Sequence, residues 1–83
     1  MKLTVRYFAS VREAIGQGSE TVETAAATLA ALRDELIARG GGYGQSLARG
    51  KTVRMALDQV MSDESAALRD GCEVAFFPPV TGG

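Results

Sequence analysis

Apolar and polar residues alternate from Lys2 to Tyr7. Leu3, Val5 and Tyr7 fall on one side of an extended chain, and Lys2, Thr4, Arg6 and Phe8 on the other, which predicts a strand with one buried face. Phe8 is the one apolar residue on the polar side. Ser10 to Ile15 reads as a short connecting segment, with a turn at Gly16 and Gly18. Val22, set among threonines and glutamates, predicts an edge strand over Ser19 to Thr24, hairpinned to the first strand. A helix is predicted from Thr28, whose hydroxyl can cap an early backbone N–H. Leu29, Leu32, Leu36 and Ile37 recur at helical spacing, and Arg33, Asp34 and Glu35 are placed on the solvent side. Arg39 suits the negative end of the helix dipole. The Gly40-Gly41-Gly42 run predicts the helix end and a flexible connector. It is not a phosphate loop, because no lysine followed by Ser or Thr stands at the required spacing. Tyr43 to Ala48 reads as a short helical turn.

Val53, Met55 and Leu57 alternate with Arg54, Ala56 and Asp58, which predicts a third strand, and Val60-Met61 a very short fourth. Asp63 to Leu68 reads as a loop and Asp70-Gly71 as a turn. Cys72 to Phe77 is the last strand, with Val74 and Phe76 on one face and Glu73, Ala75 and Phe77 on the other. Pro78 lacks an N–H and ends the ladder. The expected division is a folded domain over residues 1–77 and a flexible tail over 78–83. One main helix packed across one mixed sheet is an α+β arrangement. With the first and last strands parallel at its centre, it is the β-grasp, or ubiquitin-like, arrangement.

Composition narrows what such a domain can do. Eighty-three residues make one domain with a modest core. Nine basic and ten acidic residues give a net charge of −1, without the basic stripe that a nucleic-acid partner requires. No apolar run is long enough for a membrane span and no signal peptide is expected, so the expected compartment is the cytoplasm. Histidine is absent. Cys72 is the sole cysteine, which rules out an internal disulfide, and it reads as a small strand residue. Asp34-Glu35 and Asp63-Glu64 read as solvated surface. No metal-ligand spacing and no resident cofactor are expected, and the chain is not expected to be an enzyme by itself.

The tail holds the candidate chemistry. Pro78-Pro79 restricts the chain, Val80 and Thr81 follow, and Gly82-Gly83 forms the thinnest peptide that a narrow channel can admit. The carboxylate of Gly83 is the expected reacting group, and Gly82 is expected to permit threading. Six residues from Pro78 reach about 20 Å at ~3.3 Å each. Phe8 and Phe77 are expected to meet on the exposed side of the sheet at the root of this tail, joined by Met61, as a partner-docking patch.

Tyr7-Phe8-Ala9-Ser10-Val11-Arg12-Glu13, the amphipathic helix from Thr28, and above all Glu73-Val74-Ala75-Phe76-Phe77-Pro78-Pro79-Val80-Thr81-Gly82-Gly83 resemble the small subunits of molybdopterin synthase, among the ubiquitin-like sulfur carrier proteins. The likeness runs over the whole chain. It implies that an adenylating enzyme similar to ubiquitin-activating enzymes, using ATP and magnesium, activates Gly83, and that a sulfur donor enzyme converts it to a thiocarboxylate. It further implies a large-subunit partner, two small plus two large subunits, and delivery of sulfur to a pyranopterin precursor. Two departures stand out: Asp58, where many relatives have Asn, which puts a local turn in question, and the glycine-rich Gly40 to Gly44, expected to affect only a loop. Alternatives with the same fold are a carrier for thiamine or another thio-cofactor, a protein modifier, and an interaction module whose carboxylate never reacts.

Overall fold

The computed structural model describes residues 1–79; the expected tail residues Val80, Thr81, Gly82 and Gly83 lie outside them. In chain order the elements are β1 (Lys2–Tyr7), α1 (Ala9–Ile15), β2 (Ser19–Glu23), α2 (Leu29–Ile37), α3 (Gly41–Leu47), β3 (Arg54–Leu57), β4 (Val60–Ser62) and β5 (Glu73–Phe77). The strands form one sheet in the order β2-β1-β5-β3-β4. The β1 and β5 strands run parallel, and the other neighbours are antiparallel. The alternation in β1 and β5 translates directly into burial: Leu3, Val5, Tyr7, Val74 and Phe76 are all at most 1% exposed.

Helix α2 covers this face. The Thr28 hydroxyl accepts the Ala31 N–H at 3.2 Å, as a capping residue should. Leu29, Leu32 and Leu36 are fully buried, and burial of each contributes about 1.5–3 kcal/mol. Arg33 departs from expectation. It is buried with the leucines, because positions 29, 32, 33 and 36 share one stripe. Its Nε donates to the Leu47 carbonyl at 2.7 Å, and one terminal nitrogen to the Ala48 and Lys51 carbonyls at 2.9 and 3.1 Å. The other terminal nitrogen meets Glu64 at 2.8 Å. One guanidinium thus ties α2 to the segment entering β3 and to the loop after β4. Asp34 and Glu35 are exposed as expected.

Two connecting segments also differ from expectation. The stretch after Phe8 is helix α1, capped by Gly16 in the left-handed region, whose N–H donates to the Arg12 carbonyl at 2.8 Å. The first two strands are therefore antiparallel neighbours joined through a helix, not by a tight hairpin. The glycine run is likewise no flexible connector. Helix α2 ends at Ile37 with Ala38 as its C-cap, and Gly40, at φ 77, is the N-cap of α3, which begins at Gly41. A Cβ at Gly42 would stand 1.9 Å from the Ala14 carbonyl oxygen, so only glycine allows α1 and α3 to approach this closely.

Asp58 and Gln59 join β3 to β4 with φ of 49° and 69°, the left-handed pair of a tight hairpin. The Asp58 carboxylate accepts the Glu73 N–H at 2.9 Å and pairs with Arg69 at 3.2 Å. Asn in its place would offer an oxygen to the same N–H, so the backbone contact does not depend on Asp58 being charged.

Candidate functional site

The exposed face of the sheet is built from the residues that alternate with the core. Phe8 continues the β1 ladder: its backbone is extended, and its N–H donates to the Phe76 carbonyl at 3.2 Å. That register sets its ring edge-on to Phe77, with centroids 6.5 Å apart and planes at 84°. Phe77 is half-buried and Phe8 is 41% exposed, so the pair projects where β5 hands over to Pro78. The Arg6 guanidinium lies 5.6 Å from the centre of the Phe8 ring and 4.0 Å from the Glu73 carboxylate.

Met61 sits on the same face. The register runs Arg6, Ala75, Ala56, Met61 across four strands, so two alanines form a low floor between the aromatic pair and the edge methionine. Met61 is 59% exposed. Arg54 stands opposite Phe77 and shares with Met61 an open groove of about 560 Å³. Pro78 lines a smaller cleft of about 180 Å³ on the helical side, with Ser10, Lys51 and Thr52. Phe8, Phe77 and Pro78 are therefore gathered at one end of the sheet, with Pro79 following directly, while Met61 lies on the same face but two strands from Phe77 and further down the ladder. Val80, Thr81, Gly82 and Gly83 fall outside the described residues. Arg54 and Lys51 were not singled out in the sequence, although their place just before and at the start of β3 was available as a signal.

A polar cluster braces the opposite side. Tyr7, Tyr43 and Arg39 all bond to the Glu20 carboxylate; Tyr7 donates at 2.8 Å and Arg39 at 2.9 Å. Burial first, and then donation to Glu20, push the Tyr7 hydroxyl well above the usual phenol range. Burial alone would raise Glu20, but hydrogen bonds from Tyr43, Arg39 and Tyr7 outweigh it and hold the carboxyl below its ordinary value. A carboxyl titrating lower when folded than unfolded contributes stability above its unfolded value, near about 4.3, and loses it as pH falls through the folded value. Urea unfolding midpoints should therefore drop between about pH 5 and pH 3. Glu20→Gln should flatten part of that drop, and an unchanged slope in this variant would remove Glu20 from the account.

Cys72 is buried at 4% exposure and stands immediately before β5, which begins at Glu73 and not at Cys72 as expected. Among the described residues, no cluster of potential ligands could hold a metal ion, and no helix is long and apolar enough to cross a membrane. The site is an exposed aromatic face beside the point where β5 passes into Pro78.

A five-stranded mixed sheet with parallel β1 and β5 side by side, β5 central, and helices across one face defines a β-grasp, ubiquitin-like protein. The chain belongs to the ThiS family, whose model matches residues 5–83. It is similar to the molybdopterin synthase sulfur carrier subunit of Haemophilus influenzae, with 40% identity over 81 residues covering 98% of this chain and 99% of the relative. The Escherichia coli protein of the same description matches with the same identity and coverage. Among solved structures, a chain from the complex of subunits 1 and 2 of the molybdopterin-converting factor of Helicobacter pylori matches over 100% of both chains, with a TM-score of 0.70 and 26% identity.

Proposed function

We propose that this chain is the sulfur carrier subunit of a molybdopterin synthase. The observation that carries the reading is the end-to-end match to relatives of that description at 40% identity. The aromatic pair beside Pro78 supports it, because a carrier must dock where its tail leaves the domain.

The proposed chemistry takes place at Gly83. A carboxylate is a poor electrophile, since attack adds charge to an anion. An adenylating enzyme using ATP and magnesium joins the carboxylate oxygen to AMP and releases pyrophosphate. Hydrosulfide supplied by a donor enzyme attacks the acyl carbon, the bond to AMP breaks with AMP as the leaving group, and loss of the sulfur-bound proton leaves a thiocarboxylate. Its charge rests largely on sulfur, a better nucleophile than oxygen. The tail then enters the large subunit and gives sulfur to a pyranopterin precursor, in an assembly of two small and two large subunits. The domain supplies the docking face, and the partner supplies the catalytic groups.

The test is binding to the large subunit. Phe77→Ala and Phe8→Ala should each weaken the complex by at least about 2 kcal/mol while leaving the unfolding midpoint nearly unchanged. Phe76→Ala should instead cost about 3–5 kcal/mol of folding stability, because Phe76 is fully buried against Tyr7. Wild-type affinity in both exposed-aromatic variants would overturn the docking assignment.

A further inference from the structure

The aromatic patch does not account for the charges that stand around the root of the tail. Arg54 lies opposite Phe77 on the sheet side, at the rim of the groove shared with Met61 and Ser62. Lys51 lies on the helical side, in the cleft that Pro78 lines. Both side chains are exposed, and among the described residues neither has a carboxylate within 4.0 Å. Most other arginines are matched: Arg6 to Glu73, Arg33 and Arg49 to Glu64, Arg39 to Glu20, Arg69 to Asp58. The carboxylates near the groove are already engaged. Glu64 is held by Arg49 and Arg33, and Asp63 accepts the Ser65 N–H at 2.9 Å. No carboxylate lines the cleft at Pro78. Chain segment 51–54 thus places two unmatched cations on either side of the strand end from which the tail departs.

We infer that Lys51 and Arg54 form a cationic collar that steers the tail root onto a partner surface carrying carboxylates around the opening that receives the tail. This rests on the docking role proposed above and adds the chemistry of the opposing rim. A protein surface fits better than a small anion. The two cations sit in separate, open depressions, and the other arginines that line the groove beside Arg54, Arg33 and Arg49, are already paired with Glu64. Arg54 stands beside Phe77 on the face that carries the Phe8–Phe77 pair, and Lys51 stands behind the strand end on the helical side; an apolar centre with charged groups around it is the anatomy of a protein–protein interface. The collar stands at the root of the tail and acts on association. Rim charges of this kind change the association rate and its salt dependence more than the lifetime of the complex.

Arg33 ties the collar to the core, because it holds the Ala48 and Lys51 carbonyls. Lys51 is therefore presented from a segment fixed at its backbone, not from a free loop.

The experiment measures association rates of the full chain with the large subunit by stopped-flow mixing at low and high salt. The variants are Lys51→Glu, Arg54→Glu and the two combined. Lys2→Glu makes the same change in net charge as either single variant, at the far end of β1, about 20 Å along the strand from Phe8. The double variant should associate at least about tenfold more slowly at low salt, and the gap should close as salt rises. Lys2→Glu should stay within about twofold of wild type. Equal slowing in Lys2→Glu and the double variant, or wild-type rates in the double variant, would overturn the collar while leaving the docking role standing. A wild-type chain that does not associate at all would overturn both.

Discussion

Replacing Arg33 with methionine is expected to cost about 1–3 kcal/mol of folding stability, although the residue is charged and sits on a surface helix. The guanidinium is 5% exposed and supplies donors to three backbone carbonyls and one carboxylate. Methionine has similar length and keeps the packing against α2, but it donates nothing. The Leu47 carbonyl then stays buried with its side-chain donor removed, while those of Ala48 and Lys51 stand closer to water. Glu64 keeps Arg49, so the carboxylate is not abandoned and the loss falls mainly on the backbone groups. Asp34→Asn is the control: it weakens an exposed pair with Arg49, and such pairs contribute little. The check is urea unfolding of both variants. A loss below about 1 kcal/mol for Arg33→Met would mean that water replaces the guanidinium.

Arg33 also shows what could be read from the sequence and what could not. The leucine stripe gave the helix and its buried face correctly. Position 33 lies four residues after Leu29 and one after Leu32, within that stripe, but residue type outweighed spacing in the reading. The strands were legible because alternation in β1, β3 and β5 has a period that nothing else imitates. The outward placement of Phe8 and Phe77, and their meeting, followed from counting by twos along two strands that pair in parallel. Helix α1 was not legible: it buries Val11 alone, and Ala9 enters it at φ 50°, a conformation that no local signal announces. Gly42 was misread for a related reason. Its role depends on the approach of α3 to Ala14, a contact between segments far apart in sequence. Lys51 drew no reading from the sequence, and Arg54 only as an alternating residue of the third strand; the register places Arg54 opposite Phe77, and the cleft at Pro78 brings in Lys51.

The second large effect concerns Gly82, which carries no reacting atom in the proposed chemistry. In the proposed chemistry two different proteins perform activation and transfer, and both must admit the same chain end. Each channel is expected to be narrow at the penultimate residue, where a Cβ would meet a wall or forbid a required φ. Gly82→Val adds β-branching, which restricts the backbone further. Adenylate formation and sulfur transfer, measured separately, should both fall by at least about a hundredfold, the scale on which small misplacements act on reacting groups. The unfolding midpoint should hold, because the core is complete by Phe76. Gly82→Ala should fall between the two. Wild-type rates in both steps for the valine variant would remove the steric reason for a di-glycine end.

The central claim is that Gly83 carries sulfur. It is tested most directly by the intact mass of the chain after co-production with an adenylating enzyme and a sulfur donor enzyme, followed by fragmentation to locate the change. The account predicts the exchange of one oxygen for one sulfur, confined to the last residue, and no exchange in a chain lacking Gly82 and Gly83. An unchanged mass in the intact chain, or sulfur found on Cys72 instead, would contradict it.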